Sequence, residues 1–132
     1  MDASNLKALV IDDHQLSRKL LGLQLRAFGI QEIEFCVNGE DGLKALHDAH
    51  FDVVMLDWSM PGLDGLELLE QAQSSENFKS VAFVMVSAEA QPDQIVKALN
   101  AGAVAYITKP IKQDEIDKKM TQVIEWLSKN AA

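Results

Sequence analysis

One stretch, Phe51-Asp52-Val53-Val54-Met55-Leu56-Asp57-Trp58-Ser59-Met60-Pro61-Gly62-Leu63-Asp64-Gly65, limits what this chain can become more than any other. Its apolar run is too short for a buried helix and is closed by Pro and Gly, the pattern of a strand buried on both faces of a parallel sheet. The run ends on a carboxylate, and the Pro-Gly loop stops the strand from continuing. Open α/β sheets carry their ligand chemistry at the carboxyl ends of strands, so Asp57 is a candidate nucleophile or metal ligand.

Strand-like runs recur at Lys7 to Ile11, Glu32 to Val37, Asp52 to Leu56, Val81 to Val86 and Val104 to Thr108, with helix-compatible segments between them. Strand alternating with helix means a parallel sheet. The expected fold is α/β, a doubly wound five-stranded parallel sheet with five helices laid on both faces by right-handed crossovers, for which the flavodoxin-like order 2-1-3-4-5 is common and is not itself deduced from the pattern.

The first helix is expected over about Gln15 to Phe28, with Leu16, Leu20, Leu23 and Ala27 on its inner face and Gly29 as its stop. The second spans about Glu40 to Ala49 and buries Leu43, Leu46 and Ala49. The third starts near Asp64, a good N-cap, and turns Leu66, Leu69 and Ala72 inward. In the fourth, Pro92 fits the first turn, Ile95, Val96 and Leu99 face the sheet, and Gly102 ends the helix. The fifth repeats Ile116, Met120, Val123, Ile124 and Leu127 at helical spacing, with Asp114, Glu115 and Asp117 at its start and Lys129 at its end; Trp126 packs or half-packs it.

At 132 residues and 48% hydrophobic composition, the chain is the size of one domain with a full core. No repeat, low-complexity tract or linker interrupts the five βα units, so residues 1–132 are expected to form one domain with no other attached. A formal charge of -8 opposes direct binding to nucleic acid phosphates. The single Cys36, inside an apolar run, excludes disulfide frameworks and reads as a buried, inert thiol. The start of the chain lacks a signal-peptide pattern and no run suits a membrane helix, so a cytoplasmic protein with no membrane insertion is expected. His47 and His50 lie one turn apart without an evident third ligand and read as solvated, and His14 as a surface residue at the start of the first helix. No G-x-G-x-x-G, Walker loop or G-x-S-x-G is present.

The first strand also ends in acid, at Asp12-Asp13. In the order 2-1-3-4-5 it neighbours the third, so Asp12, Asp13 and Asp57 can converge where the winding reverses. Three ionised carboxylates there repel by about 4 kcal/mol per pair at ~4 Å, taking an effective dielectric near 20. Either one pKa rises or a divalent cation binds, and few hard oxygen donors with room for water favour Mg²⁺ over a Ca²⁺ cage. Taken singly, each acid would read as a helix cap or turn residue. The other strand ends change that weighing: Ser87-Ala88 offers a hydroxyl and Lys109-Pro110 a compact cation, both suited to phosphate.

The set Asp12-Asp13, Asp57, Met60-Pro61-Gly62-Leu63-Asp64-Gly65, Ser87-Ala88 and Lys109-Pro110 resembles the receiver domain of two-component response regulators. Trp58, Glu89-Ala90 and Tyr106 make it most similar to the stand-alone, chemotaxis-type (CheY-like) group, whose strand order is the one above. The resemblance spans nearly the whole chain and implies a single receiver domain without an output domain, a monomer, and Mg²⁺-dependent transfer of phosphate to Asp57 from a histidine kinase or histidine phosphotransfer protein. It implies that Asp13 and Asp57 hold the metal through side chains, Asp12 largely through water and Ser59 through its backbone carbonyl. Ser87 and Lys109 would bind phosphoryl oxygens, and Lys109-Pro110 would be cis.

By the same resemblance Tyr106 is a rotameric switch. Ser87 moves toward the phosphate, the Ser87 to Ala90 loop follows, Tyr106 turns inward, and a downstream protein binds the face of helix four, strand five and helix five. Ser59 and Glu89 flank the hydrolytic water. The sequence departs from the group at Ser59, where Asn is frequent, and at Gln91-Pro92, where basic residues are. A phosphate sink or phosphorelay intermediate is an alternative. An aspartyl-phosphate phosphohydrolase is another, but such enzymes want a second acid two residues after the nucleophile, where this chain has Ser59.

Overall fold

A computed structural model describes residues 2–130. Five parallel strands, β1 (Lys7–Ile11), β2 (Glu32–Cys36), β3 (Val53–Asp57), β4 (Ala82–Ser87) and β5 (Ala105–Thr108), stand in the order β2-β1-β3-β4-β5. Between and after them run α1 (Gln15–Phe28), α2 (Gly39–Asp48), α3 (Gly65–Gln73), α4 (Pro92–Asn100) and α5 (Gln113–Asn130). The expected architecture and strand order are therefore present, with element ends shifted by a residue or so.

Every residue of β3 is buried, as its unbroken apolar run requires. Successive side chains alternate between two cores. Ala8, Val10, Val53 and Met55 pack with Leu21 and Leu25 of α1 and with Ile116, Met120, Val123 and Leu127 of α5. Leu9, Ile11, Val54 and Leu56 pack with Leu46 of α2, Leu68, Leu69 and Ala72 of α3 and Ala98 of α4.

The inner faces of two helices differ from the expectation. On α1, Leu16, Leu20 and Leu23 are 82%, 46% and 62% exposed and Ala27 is exposed, while Leu21 and Leu25 are buried. The helix carries two apolar stripes at helical spacing. The Leu21–Leu25 stripe is inward because Gly22 lets the helix settle against Phe35 of β2, where a Cβ would collide with the ring, while Gln24 donates to the Ile111 carbonyl at 2.8 Å on the other flank. On α4, Val96 and Leu99 are about half exposed; Ala98 is the buried residue and Ile95 packs beside it, because a small side chain lets the helix lie close to the sheet.

Smaller corrections have the same origin. Ala49 is exposed because it lies past the end of α2, and Leu43 is half-buried. On α3, Leu68 joins the core and Leu66 stays half-buried. Cys36 is half-buried rather than sequestered, because β2 is an edge strand; burial, with Asp41 and Glu34 nearby, raises its pKa. His50 lies outside α2.

Candidate functional site

The register builds the site. Ile11 pairs with Leu56 and Asp57 with Val86, so Asp12, just past β1, and Ser87, the last residue of β4, stand at the end of β3; Ser87 in turn pairs with Thr108, followed by Lys109. Asp12, Asp57, Ser87 and Lys109 thus come from four adjacent strands to one edge of the sheet. The Lys109-Pro110 bond is cis, as expected.

The loop after β3 is fixed from several sides. The Gly65 amide donates to the Trp58 carbonyl at 2.9 Å, and a Cβ at Gly65 would strike the carbonyl oxygen of Asp57, so only glycine lets α3 start this close to the acid. Asp64 and Glu67 form a reciprocal capping box. Glu40 of α2 accepts from the Leu63 amide at 3.1 Å.

Asp12, Asp13, His14 and Asp57 each offer a ligand atom within 4.8 Å of the others. Asp12 is fully buried; its carboxylate accepts from the Ser17 hydroxyl at 2.6 Å, the His14 amide at 2.9 Å and Lys109 Nζ at 3.0 Å. Burial alone would raise its pKa, but these donors outweigh burial and hold it below the usual carboxylate range. Asp57 has fewer donors, with Lys109 Nζ at 3.5 Å. Burial, then the charges of Asp12 and Asp13, push it up to about 6 against the pull of Lys109. Of the two outcomes expected for crowded acids, the raised pKa is found at Asp57, and the carboxylate oxygens stand close enough together to be candidate ligands of a cation.

Asp13 supplies the test of that fit. Its Oδ1 is shielded from solvent and has no hydrogen-bond partner, although His14 Nδ1 lies 3.1 Å away. A buried, unsatisfied carboxylate oxygen beside two more carboxylates suits a small divalent cation. Ser59 lies two residues past Asp57, in the loop after β3, and is exposed.

Beyond Asp57, Ser87 is buried and its hydroxyl accepts from the Glu89 amide at 3.1 Å. Tyr106 is only 9% exposed, donates its hydroxyl to the Glu89 carbonyl at 2.7 Å, and meets Trp58 edge-on at 6.4 Å. The expected inward turn of Tyr106 therefore has no outward starting position in this structure: the ring is already in, fixed to the loop after β4.

Sequence reasoning missed Ser17 and Arg18, which binds the Asp12 carbonyl at 2.8 Å; for His14 it weighed the rim of the acid pair against a surface position at the start of α1, and both descriptions hold. His14 is exposed yet lies against both acids of β1's end. A hydroxyl and a guanidinium in the first turn of a helix entered through two consecutive acids were the available signal. His47 is exposed and packs edge-on against Phe78, and His50 pairs with Asp52; among the described residues they belong to no group of possible metal ligands. No helix among those residues is long and apolar enough to cross a membrane.

Comparison with known proteins agrees with this arrangement. Residues 8–121 match the response regulator receiver domain family. The chain is 33% identical over 120 residues to a chemotaxis protein CheY of Pseudomonas aeruginosa, covering 91% of this chain and 97% of that one. It is 33% identical over 123 residues to a chemotaxis protein CheY-3 of Vibrio cholerae, covering 93% and 95%. Among solved structures, the chemotaxis protein CheY4 of Vibrio cholerae superposes with a TM-score of 0.82 at 25% identity, covering 89% of this chain and 98% of that one. The receiver domain of Francisella response regulator 1452 also gives 0.82, at 26% identity, covering 95% and 98%.

Proposed function

Because this chain belongs to the response regulator receiver family, we propose that it accepts a phosphoryl group on Asp57 from a histidine kinase or histidine phosphotransfer protein and exchanges protein partners in response. The observation that carries the reading is the cluster at the carboxyl end of the sheet: a buried carboxylate with a raised pKa, a lysine 3.5 Å from it, and a neighbouring carboxylate oxygen without a partner. Asp57 attacks phosphorus as the carboxylate; the N–P bond of the phosphohistidine breaks as the O–P bond forms, and the leaving imidazole takes up a proton. Lys109 and Ser87 hold the transferred oxygens.

Asp13 and Asp57 would hold Mg²⁺ directly, Asp12 through water and Ser59 through its carbonyl. Held there, such an ion would supply charge neutralisation for the transfer.

The donor approaches over the end of the sheet where α1 begins, so the exposed Leu16, Leu20 and Leu23 form the surface it meets. An unpartnered leucine stripe running away from the site needs a partner more than a solvated face does. At the opposite flank, exposed Val96 and Leu99 of α4, with β5 and α5, form the face read by a downstream protein. The protein acts as a cytoplasmic monomer.

The two faces communicate through the loop after β4, gripped by Ser87 at its start and Tyr106 at Glu89. A phosphoryl group recruits the Ser87 hydroxyl and releases the Glu89 amide. Such a charge-assisted bond contributes about 1.5–3 kcal/mol, short of the roughly 5.5 needed to convert a population almost completely, so Lys109 must share the work. The Tyr106 bond then carries the loop's change to the α4–β5–α5 face. The test is the backbone NMR spectrum on adding beryllofluoride, an aspartyl-phosphate mimic. The wild-type chain should shift at Tyr106 and Ile95, and Ser87→Ala should bind Mg²⁺ normally yet lose most of that shift. A full shift in Ser87→Ala would place the coupling elsewhere.

A further inference from the structure

The acid cluster includes a nitrogen that the helix beside it does not use. His14 stands at the N-cap of α1, a position that favours a short side chain able to accept from the first amides, yet its ring makes no cap hydrogen bond. Its amide donates to Asp12 Oδ1 at 2.9 Å, which anchors the backbone from which the ring extends. The ring is turned to the acids. Its Nδ1 lies 3.1 Å from Asp13 Oδ1 and 3.6 Å from Asp12 Oδ1, and with Asp57 these residues offer four candidate ligand atoms within 4.8 Å of one another. The contact with Asp13 lacks hydrogen-bond geometry, since Asp13 Oδ1 has no hydrogen-bond partner. Its length is instead that of two neighbouring ligands of one ion: donors about 2.1 Å from a metal lie ~3.0 Å apart at a right angle and ~3.4 Å apart at the tetrahedral angle. The side chains of Asp13 and His14 are 27% and 70% exposed, so an ion has a way in from solvent.

We propose that His14 is a nitrogen ligand of the metal site, through which the site takes a first-row divalent metal such as Zn²⁺ as well as Mg²⁺. The inference rests on the metal site of the phosphoacceptor reading and adds to it a second class of ion and the residue that selects it. Mg²⁺ takes oxygen ligands and keeps its waters, so an imidazole adds little to its binding; Zn²⁺ and its neighbours bind imidazole readily. Asp13, Asp57 and His14 then supply two oxygens and a nitrogen, the three protein ligands of an open zinc site rather than the four of a closed one. Asp12 is the acid least suited to direct ligation, because its oxygens already accept from the Ser17 hydroxyl, the His14 amide and Lys109. His14 thus tunes which ion is held, while the carboxylates serve either one.

The test uses the full chain without a phosphodonor, titrated calorimetrically with Mg²⁺ and separately with Zn²⁺. His14→Phe should weaken Zn²⁺ binding by at least the roughly tenfold that losing even an outer partner of a metal ligand costs, and leave Mg²⁺ binding within about twofold of wild type. His14→Gln, polar but without an imidazole, should behave in the same way, and provides the readout if the phenylalanine variant does not fold. In the ¹⁵N spectrum of the histidine rings, one equivalent of Zn²⁺ should shift Nδ1 of His14 and leave His47 and His50 in place, whereas Mg²⁺ should shift none of the three. Unchanged Zn²⁺ affinity in both variants overturns the proposal, as does an equal loss for the two ions, which marks a general effect on the acids, or a His14 ring that Zn²⁺ does not shift. A wild-type chain that binds neither ion removes the metal site itself; one that binds Mg²⁺ but shows no effect of His14 on Zn²⁺ removes this proposal alone.

Discussion

Lys109 Nζ lies 3.0 Å from Asp12, nearer than the 3.5 Å that separates it from Asp57. The lysine thus pairs more closely with β1's acid than with the acid of β3. Both carboxylates are raised by burial, but Asp12 also accepts from the Ser17 hydroxyl and the His14 amide, which Asp57 lacks, so with Lys109 beside both the two move in opposite directions, Asp12 down and Asp57 up.

Removing the ammonium leaves both acids uncompensated. Lys109→Ala should destabilise the metal-free protein by about 2 kcal/mol at neutral pH, below the roughly 3–5 of a fully buried pair, because Lys109 is 21% exposed and Asp57 can escape by taking a proton. Urea unfolding in EDTA measures this, and added Mg²⁺ should recover part of the loss.

The raised pKa of Asp57 sets a pH window. Its folded value of about 6 lies above the ordinary one, so between about pH 4 and 6 the folded state binds more protons than the unfolded. Its contribution therefore falls as pH rises through that window. Asp57→Asn, which cannot ionise, should be more stable than wild type by the order of 2–3 kcal/mol at pH 7.5 in EDTA, with the difference vanishing toward pH 4. A difference independent of pH would mean that Asp57 keeps an ordinary pKa.

Fold and site were legible to different depths. Val53 to Asp57 announced a buried strand ending in an acid, and Asp12, Ser87 and Lys109 could be placed beside Asp57 because strand ends in a parallel sheet share one edge. The inner face of α1 was not legible, since Leu16-Leu20-Leu23 and Leu21-Leu25 repeat equally well; the choice came from Gly22 meeting Phe35 and Gln24 reaching Ile111, both long-range events. The orientation of Tyr106 was hidden for the same reason, being fixed by a carbonyl seventeen residues away. Ser17 was hidden because its role depends on the angle at which α1 leaves Asp12.

The two stripes of α1 predict opposite behaviour. Leu25→Ala should cost about 2–5 kcal/mol, whereas Leu20→Asp should change stability by no more than about 0.5. If α1 receives the donor, Leu20→Asp should also slow transfer from a histidine kinase while leaving phosphorylation by acetyl phosphate unchanged. Equal slowing by both donors would place the leucine's effect at the site itself.

Asp13 is the acid with least to lose. Its Oδ1 has no hydrogen-bond partner and the carboxylates of Asp12 and Asp57 repel it, while the His14 ring beside it is exposed, so Asp13→Ala should leave the protein in EDTA at least as stable as wild type while weakening Mg²⁺ binding. Quenching of Trp58, next in sequence to Asp57, follows the binding; a clear fall in metal-free stability would instead make Asp13 a structural cap.

Intact-mass and peptide mass spectrometry of the chain after incubation with acetyl phosphate tests whether Asp57 is the phosphoacceptor. The account predicts one phosphoryl group, located on Asp57, formed with Mg²⁺ and absent in EDTA and in Asp57→Asn. No phosphoryl group in the presence of Mg²⁺, or one that persists at another residue in Asp57→Asn, would contradict it.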